Sequence, residues 1–211
     1  MADNYNVKDA AGSTISIAAD EVSTGVYSNR VTPLVGGTDV ADANPLPVKG
    51  VLVVVSGEFT RPANTDAYAI GHVVADSTSA ATPLAISGCV RVNEGTSWLV
   101  GAELIADQKS ITPTFRIHIF NAAPTQSNDK AAHRGLYTDV GKRVGRFVLG
   151  PLSTPSDTTN STISAASDYN LRLPVKCASG STTLYFILET LTAFTPASGG
   201  KFTLKLTFDP N

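Results

Sequence analysis

Short β-branched and aromatic runs, separated by Gly, Pro, Ser, Asn and Asp, recur along most of the chain, and helical periodicity is nearly absent. That pattern predicts an antiparallel all-β protein. The strongest runs cover 51–59, 85–92, 97–107, 111–120, 144–149, 171–176, 182–190 and 201–208. In the last of these the apolar residues Phe202, Leu204, Leu206 and Phe208 alternate strictly with Lys and Thr, so one face packs inward. Phe115, Ile117 and Ile119 alternate in the same way with Arg116 and His118. The stretch 51–55 is continuously apolar, as is most of 184–188, and both read as central strands covered on two faces. Eight runs suit a two-sheet antiparallel β-sandwich, jelly-roll-like in arrangement.

The breaks between runs are short. Segments 92–97, 106–110, 178–181 and 196–200 read as tight hairpin connections, with Gly95 supplying the positive φ of the first. Two longer stretches interrupt the pattern. Residues 121–141 include Asn128-Asp129-Lys130-Ala131-Ala132-His133-Arg134, where Asn128 can cap a short helix, and 151–168 reads as an exposed Ser/Thr/Asn-rich loop.

The first 47 residues are less regular. Gly36-Gly37-Thr38-Asp39 and Asn44-Pro45-Leu46-Pro47 break any long element, so 1–47 is expected to form an extended N-terminal arm and linker, and 48–211 the sandwich domain. An arm cannot bury its own Ile15, Ile17, Val22, Val26 and Tyr27, so these residues, with Arg30, are candidates for an interface.

Composition narrows the function classes. The charged fraction is 16%, below the roughly 25% usual for soluble domains, while Ser and Thr make up about a fifth of the 211 residues. A hydroxyl-rich surface is cheaper to desolvate than an ionised one, which suits a chain packed against neighbours. The net charge of -2, with only Lys142, Arg143 and Arg146 grouped, argues against a nucleic-acid partner. Those three cations read as a solvated face or as a contact with an acidic protein. No apolar stretch has the length of a membrane span, and no secretory leader is expected from Met1-Ala2-Asp3-Asn4. Cys89 and Cys177, the two cysteines, read as buried free thiols.

Candidate chemistry is sparse. The three histidines, His72, His118 and His133, lack the spacing of a zinc site, and no nucleophile elbow, phosphate loop or dinucleotide turn is present. The sharpest alternative groups Asp66, His72 and Asp76 around a cation or a general base, although Asp66 and Asp76 are equally explained as loop residues bonding their own backbone. Trp98, Tyr68, Tyr137 and Tyr169 offer a possible aromatic platform for a sugar. Glu58, Glu94, Glu103 and Glu189 are scattered singly, and the glycosylation triplet Asn160-Ser161-Thr162 lies in a stretch where such triplets arise by chance. The expectation is a non-enzymatic protein with no metal and no cofactor.

A resemblance adds to this reading. The opening, Ala2-Asp3-Asn4-Tyr5-Asn6-Val7-Lys8 through Ala18-Ala19-Asp20-Glu21-Val22 and Tyr27-Ser28-Asn29-Arg30-Val31, resembles N-terminal segments of tailed-bacteriophage virion proteins. The body is similar to a structural family of that group at Phe59-Thr60-Arg61-Pro62-Ala63-Asn64-Thr65-Asp66-Ala67-Tyr68, at Arg116-Ile117-His118-Ile119-Phe120-Asn121-Ala122-Ala123-Pro124, at Leu171-Arg172-Leu173-Pro174 and at Leu188-Glu189-Thr190-Leu191-Thr192-Ala193-Phe194-Thr195-Pro196. The resemblance implies a virion structural protein, first a capsid cement or decoration protein on the outer surface of the head. A tail, neck or host-recognition adaptor comes second and a carbohydrate-binding module third. The expected partners are the major capsid protein and further copies of the chain in a homotrimer, with the loop 121–141 and Lys142, Arg143 and Arg146 towards the shell.

Overall fold

The computed structural model describes residues 52–155 and 160–210, together with the backbone of five strands nearer the N-terminus. Met1–Val48 and Lys49–Asn211 form separate compact units. In the first, β1 (Tyr5–Lys8), β2 (Thr14–Ser23) and β3 (Val26–Arg30) make an antiparallel meander, and β4 (Leu34–Val35) pairs with β5 (Thr38–Asp39). Ile15 and Ile17 stand opposite Val7 and Tyr5, and Tyr27 and Arg30 opposite Glu21 and Ala18. The side chains of Ile15, Ile17, Val22, Val26, Tyr27 and Arg30 lie outside the described residues.

The second unit is a sandwich of two antiparallel sheets. Its strands are β6 (Val53–Thr60), β7 (Val73–Val74), β8 (Leu84–Ile86), β9 (Thr96–Ala106), β10 (Phe115–Phe120), β11 (Arg143–Leu149), β12 (Ser164–Asp168), β13 (Leu173–Lys176), β14 (Leu184–Thr190) and β15 (Lys201–Pro210). One sheet has the order β12-β9-β15-β6, with β13 continuing the β12 edge against β9. The other has the order β11-β10-β14-β7, with β8 beside β7 on β14. If the two broken edges, β7/β8 and β12/β13, each count as one strand, the described sandwich has eight positions, paired first with eighth, second with seventh, third with sixth and fourth with fifth. This is a long hairpin rolled up into a jelly roll.

The four connections expected to be hairpins are not hairpins. Each carries the chain from one sheet to the other: 92–97 from β8 to β9, 106–110 from β9 to β10, 178–181 from β13 to β14, and 196–200 from β14 to β15. Two facing sheets lie only about 10 Å apart, so a few residues suffice to cross. In the first of these turns the positive φ belongs to Glu94, at 61°, and not to Gly95. Gly95 answers a different constraint, because a Cβ there would sit 2.7 Å from the Val92 carbonyl oxygen.

Alternation builds the core. Phe202, Leu204, Leu206 and Phe208 of β15 face Phe115, Ile117 and Ile119 of β10 and Leu184, Phe186 and Leu188 of β14, all buried. Phe115 lies edge-on to Phe202 and Phe194, at 5.7 and 5.8 Å between ring centres. Strand β14 is central and covered on both faces as expected, its Ile187 packing outward with Val73, Ala75 and Phe120. Strand β6 is a correction: it is an edge strand with one covered face, and Leu52 and Val54 are 55% and 67% exposed. A continuous apolar run fixes no position in a sheet, because pairing partners come from distant parts of the chain. Within the stretch expected to be loop, 164–168 forms β12. No α-helix forms at 128–134 either; those residues are turn and bridge, and among the described residues the helical element is a 3-10 turn at Tyr137–Lys142.

Candidate functional site

In the sandwich the consecutive strands β10 and β11 are also neighbours, and they are joined by the long loop 121–142, which crosses the outer face of their sheet. Its middle adds a short ladder to the free edge of β7: Val73 N–H donates to the Ala131 carbonyl, Lys130 N–H to that of Val73, and His133 N–H to that of Gly71. Satisfying these edge groups competes with forming a helix, and here the edge wins.

Asp129 anchors this ladder in a buried network. Its carboxylate accepts from the Tyr68 hydroxyl at 2.5 Å, from Ala75 N–H at 3.0 Å and from Arg61 Nη2 at 3.4 Å, and both Arg61 and Asp129 side chains are fully buried. Arg61 Nε also donates to the Tyr68 hydroxyl, while its Nη1 donates to the Ala197 carbonyl at 3.0 Å. Tyr68 stacks on Phe194 with centres 4.8 Å apart, and burial, followed by the bond to Asp129, pushes its phenol far above the usual range. Arg61 thus ties together three loops, 61–72, 121–142 and 191–200. Sequence reasoning missed this network, since its members are separated by up to 136 positions.

The second cluster lies under the same loop on the outer face of β10 and β14. His118 Nε2 is 2.8 Å from Glu189 Oε2, and Arg116 Nη1 donates to the same carboxylate at 3.1 Å. The His118 ring stacks on His133, 4.1 Å between centres, and Arg143 Nη2 approaches His118 Nδ1 at 3.5 Å. A cation facing Nδ1 makes that nitrogen the acceptor, so Nε2 carries the proton and donates it to Glu189. Burial lowers the His118 pKa to about 4, and it lowers that of His133. Burial also penalises the Glu189 carboxylate, but the bonds from His118 and Arg116 outweigh it and hold its pKa below the usual value.

This arrangement clasps the loop to the sheet. Both ring nitrogens of His118 are engaged, and no hydroxyl or thiol bonds to either among the described residues. The adjoining cavity, lined by His118, Phe120, His133, Leu136 and Arg143, has about 70 Å³ of free space. That is room for a few waters.

The remaining expected residues are dispersed. Asp66 pairs with Lys130 at 2.8 Å, His72 Nδ1 accepts from Ala69 N–H at 3.2 Å, and Asp76 accepts from the backbone and hydroxyl of Thr82 at 2.9 and 2.6 Å. The three form no common site. Among the described residues no group of three His, Cys, Asp or Glu side chains is placed to hold a metal. Cys89 and Cys177 are buried and free, their pKa values raised by burial to about 12 and 11. Of the four aromatics, Tyr68 is core, while Trp98, Tyr169 and Tyr137 are 37%, 64% and 90% exposed.

Lys142 is tied within its loop, to Asp139 at 2.8 Å and to the Ala123 carbonyl at 2.9 Å. Arg143 and Arg146 are exposed on β11, Arg146 in register with His118. Beside them the 3-10 turn presents Leu136, Tyr137 and Val140, 39%, 90% and 58% exposed. Two of these three were not anticipated, because an apolar residue in a loop gives no sign of its exposure.

Comparison with protein-family models and with curated proteins finds no match.

The described residues therefore offer two surfaces with recognisable chemistry. One is the apolar tip with its arginines. The other is an open cleft at the edge of the sandwich between the start of β9, β13 and the start of β11. Among the described residues no helix is long and apolar enough to cross a membrane.

Proposed function

We propose that the protein is a structural component of a tailed-phage virion, a cement or decoration protein that binds the outside of the head shell. The observation that carries this reading is the tip of loop 121–142. Leu136, Tyr137 and Val140 stand exposed together, with Arg134, Arg143 and Arg146 exposed nearby. Tyr and Arg are the residues that anchor protein interfaces, and an aromatic centre with a guanidinium rim suits a partner surface that pairs apolar groups with carboxylates. The loop is held to the body by the Arg61–Asp129 pair and by the stacking of His133 on His118, so little order need be gained on docking. In this reading the partner is the major capsid protein.

Self-association accompanies docking. β6 leaves one edge of its sheet without a strand partner among the described residues, and the apolar Leu52 and Val54 are exposed there. A homotrimer on the shell brings three tips to bear at once and multiplies weak contacts by avidity. The test is imaging of phage particles with and without the protein, and of particles carrying Tyr137→Ala. Density on the outer shell that is lost in the deletion and depleted in the variant supports the reading. Density confined to the neck or tail overturns it in favour of an adaptor.

A further inference from the structure

We propose that the open cleft between β9, β13 and β11 binds a carboxylated sugar, giving the protein a glycan-binding activity beyond its proposed place in the particle. The cleft encloses about 450 Å³ and is walled by Trp98, Pro174, Arg143, Lys176, Asn121 and Ser97, among others. That volume lies in the range of ordinary small-molecule sites, about 300–1,000 Å³.

Three features of the wall select the ligand. Trp98 of β9 stands in register with Pro174 of β13, and the two give an indole and a pyrrolidine ring side by side. Such an apolar pair suits the C–H face of a pyranose ring. Two cations follow. Among the described residues Lys176 has one ion pair, with Glu94 at 3.4 Å, in which both side chains are more than half exposed. A surface pair of this kind contributes about 0–1 kcal/mol, so a ligand carboxylate can displace it. Arg143 has five N–H donors and, among the described residues, uses one on His118 Nδ1. Its remaining fork fits a carboxylate in two parallel bonds.

A neutral sugar would leave both cations unused, and a nucleic acid asks for far more positive charge than two side chains provide.

Trp98 is the only tryptophan in the chain, so its fluorescence reports on this cleft alone. The full-length protein is titrated with oligogalacturonate and with sialyllactose, and in parallel with methyl-esterified oligogalacturonate, which keeps the ring and loses the charge. The expected result is a saturable change in emission with at least one acidic glycan, and binding of the ester weaker by about tenfold or more, equivalent to about 1.4 kcal/mol. Lys176→Gln is expected to weaken acidic-glycan binding several-fold. Absence of saturable binding by both acidic glycans, in fluorescence and in calorimetry, overturns the proposal. So does equal affinity for the ester, or full affinity in Lys176→Gln protein whose melting temperature is unchanged. The measurement uses free protein, so its outcome is independent of where the protein sits in a particle.

Discussion

Removing the Asp129 carboxylate should destabilise the sandwich more than any surface change. In Asp129→Ala the guanidinium of Arg61, whose side chain is fully buried, loses its counter-charge. The Tyr68 hydroxyl and the Ala75 N–H lose their acceptor at the same time. Breaking a buried ion pair from one side costs about 3–5 kcal/mol. The orphaned neutral donors belong to the same network, so their cost overlaps with that figure and is not added to it. For a domain of this size, 3–5 kcal/mol corresponds to a fall in melting temperature of roughly 6–20 °C. The assay is thermal and urea unfolding of the wild type, Asp129→Ala, Arg61→Met and the double variant. In the double variant no charge is left buried, so its loss should be smaller than the sum of the single losses by about 1 kcal/mol or more. A loss below about 1 kcal/mol in Asp129→Ala, or additive losses in the double variant, would refute the reasoning.

Two further outcomes follow from titratable groups. The unfolded chain protonates His118 near 6.5 and the folded chain only near 4, so the contribution of this group is present above pH 6.5 and is lost as pH falls through that window, by up to about 3 kcal/mol. Urea unfolding between pH 7 and pH 4 should show this acid slope, reduced in His118→Gln; an unchanged slope in the variant would assign it to other groups. Cys89 and Cys177, buried with raised pKa values, should be silent to a thiol reagent at neutral pH in the native protein and both react once it is denatured, without prior reduction. Rapid native labelling would contradict the burial of either thiol.

Several features of the fold are legible in the sequence because they are local. The alternation of Phe202, Leu204, Leu206 and Phe208 with Lys and Thr is a property of neighbouring residues, and a strand with one apolar face has one stable orientation against a core. The same holds for Phe115, Ile117 and Ile119. The all-β class and the positions of most strands follow from such runs. The cores of the two sheets can be assigned from them as well.

Partnership is not local, and there the sequence is silent. Nothing in 178–181 or 196–200 distinguishes a turn within one sheet from a step to the other, because both need only a few residues with turn chemistry. The apolar runs of β6 and β14 look alike, yet one is an edge and the other a centre, since burial of the second face depends on what the loop 121–142 brings over it. Asp129 reads as part of a capped helix until Arg61, 68 positions away, offers a buried charge to satisfy. The cations around Trp98 come together only because β13 pairs with β9 and the start of β11 lies alongside. Side-chain periodicity, set within a few residues, thus determined by itself that the chain makes strands and which of their faces turn inward. The pairing of strands far apart in the chain was decided only in the tertiary structure, where buried charges and edge groups must each find a partner, and with it came every candidate surface.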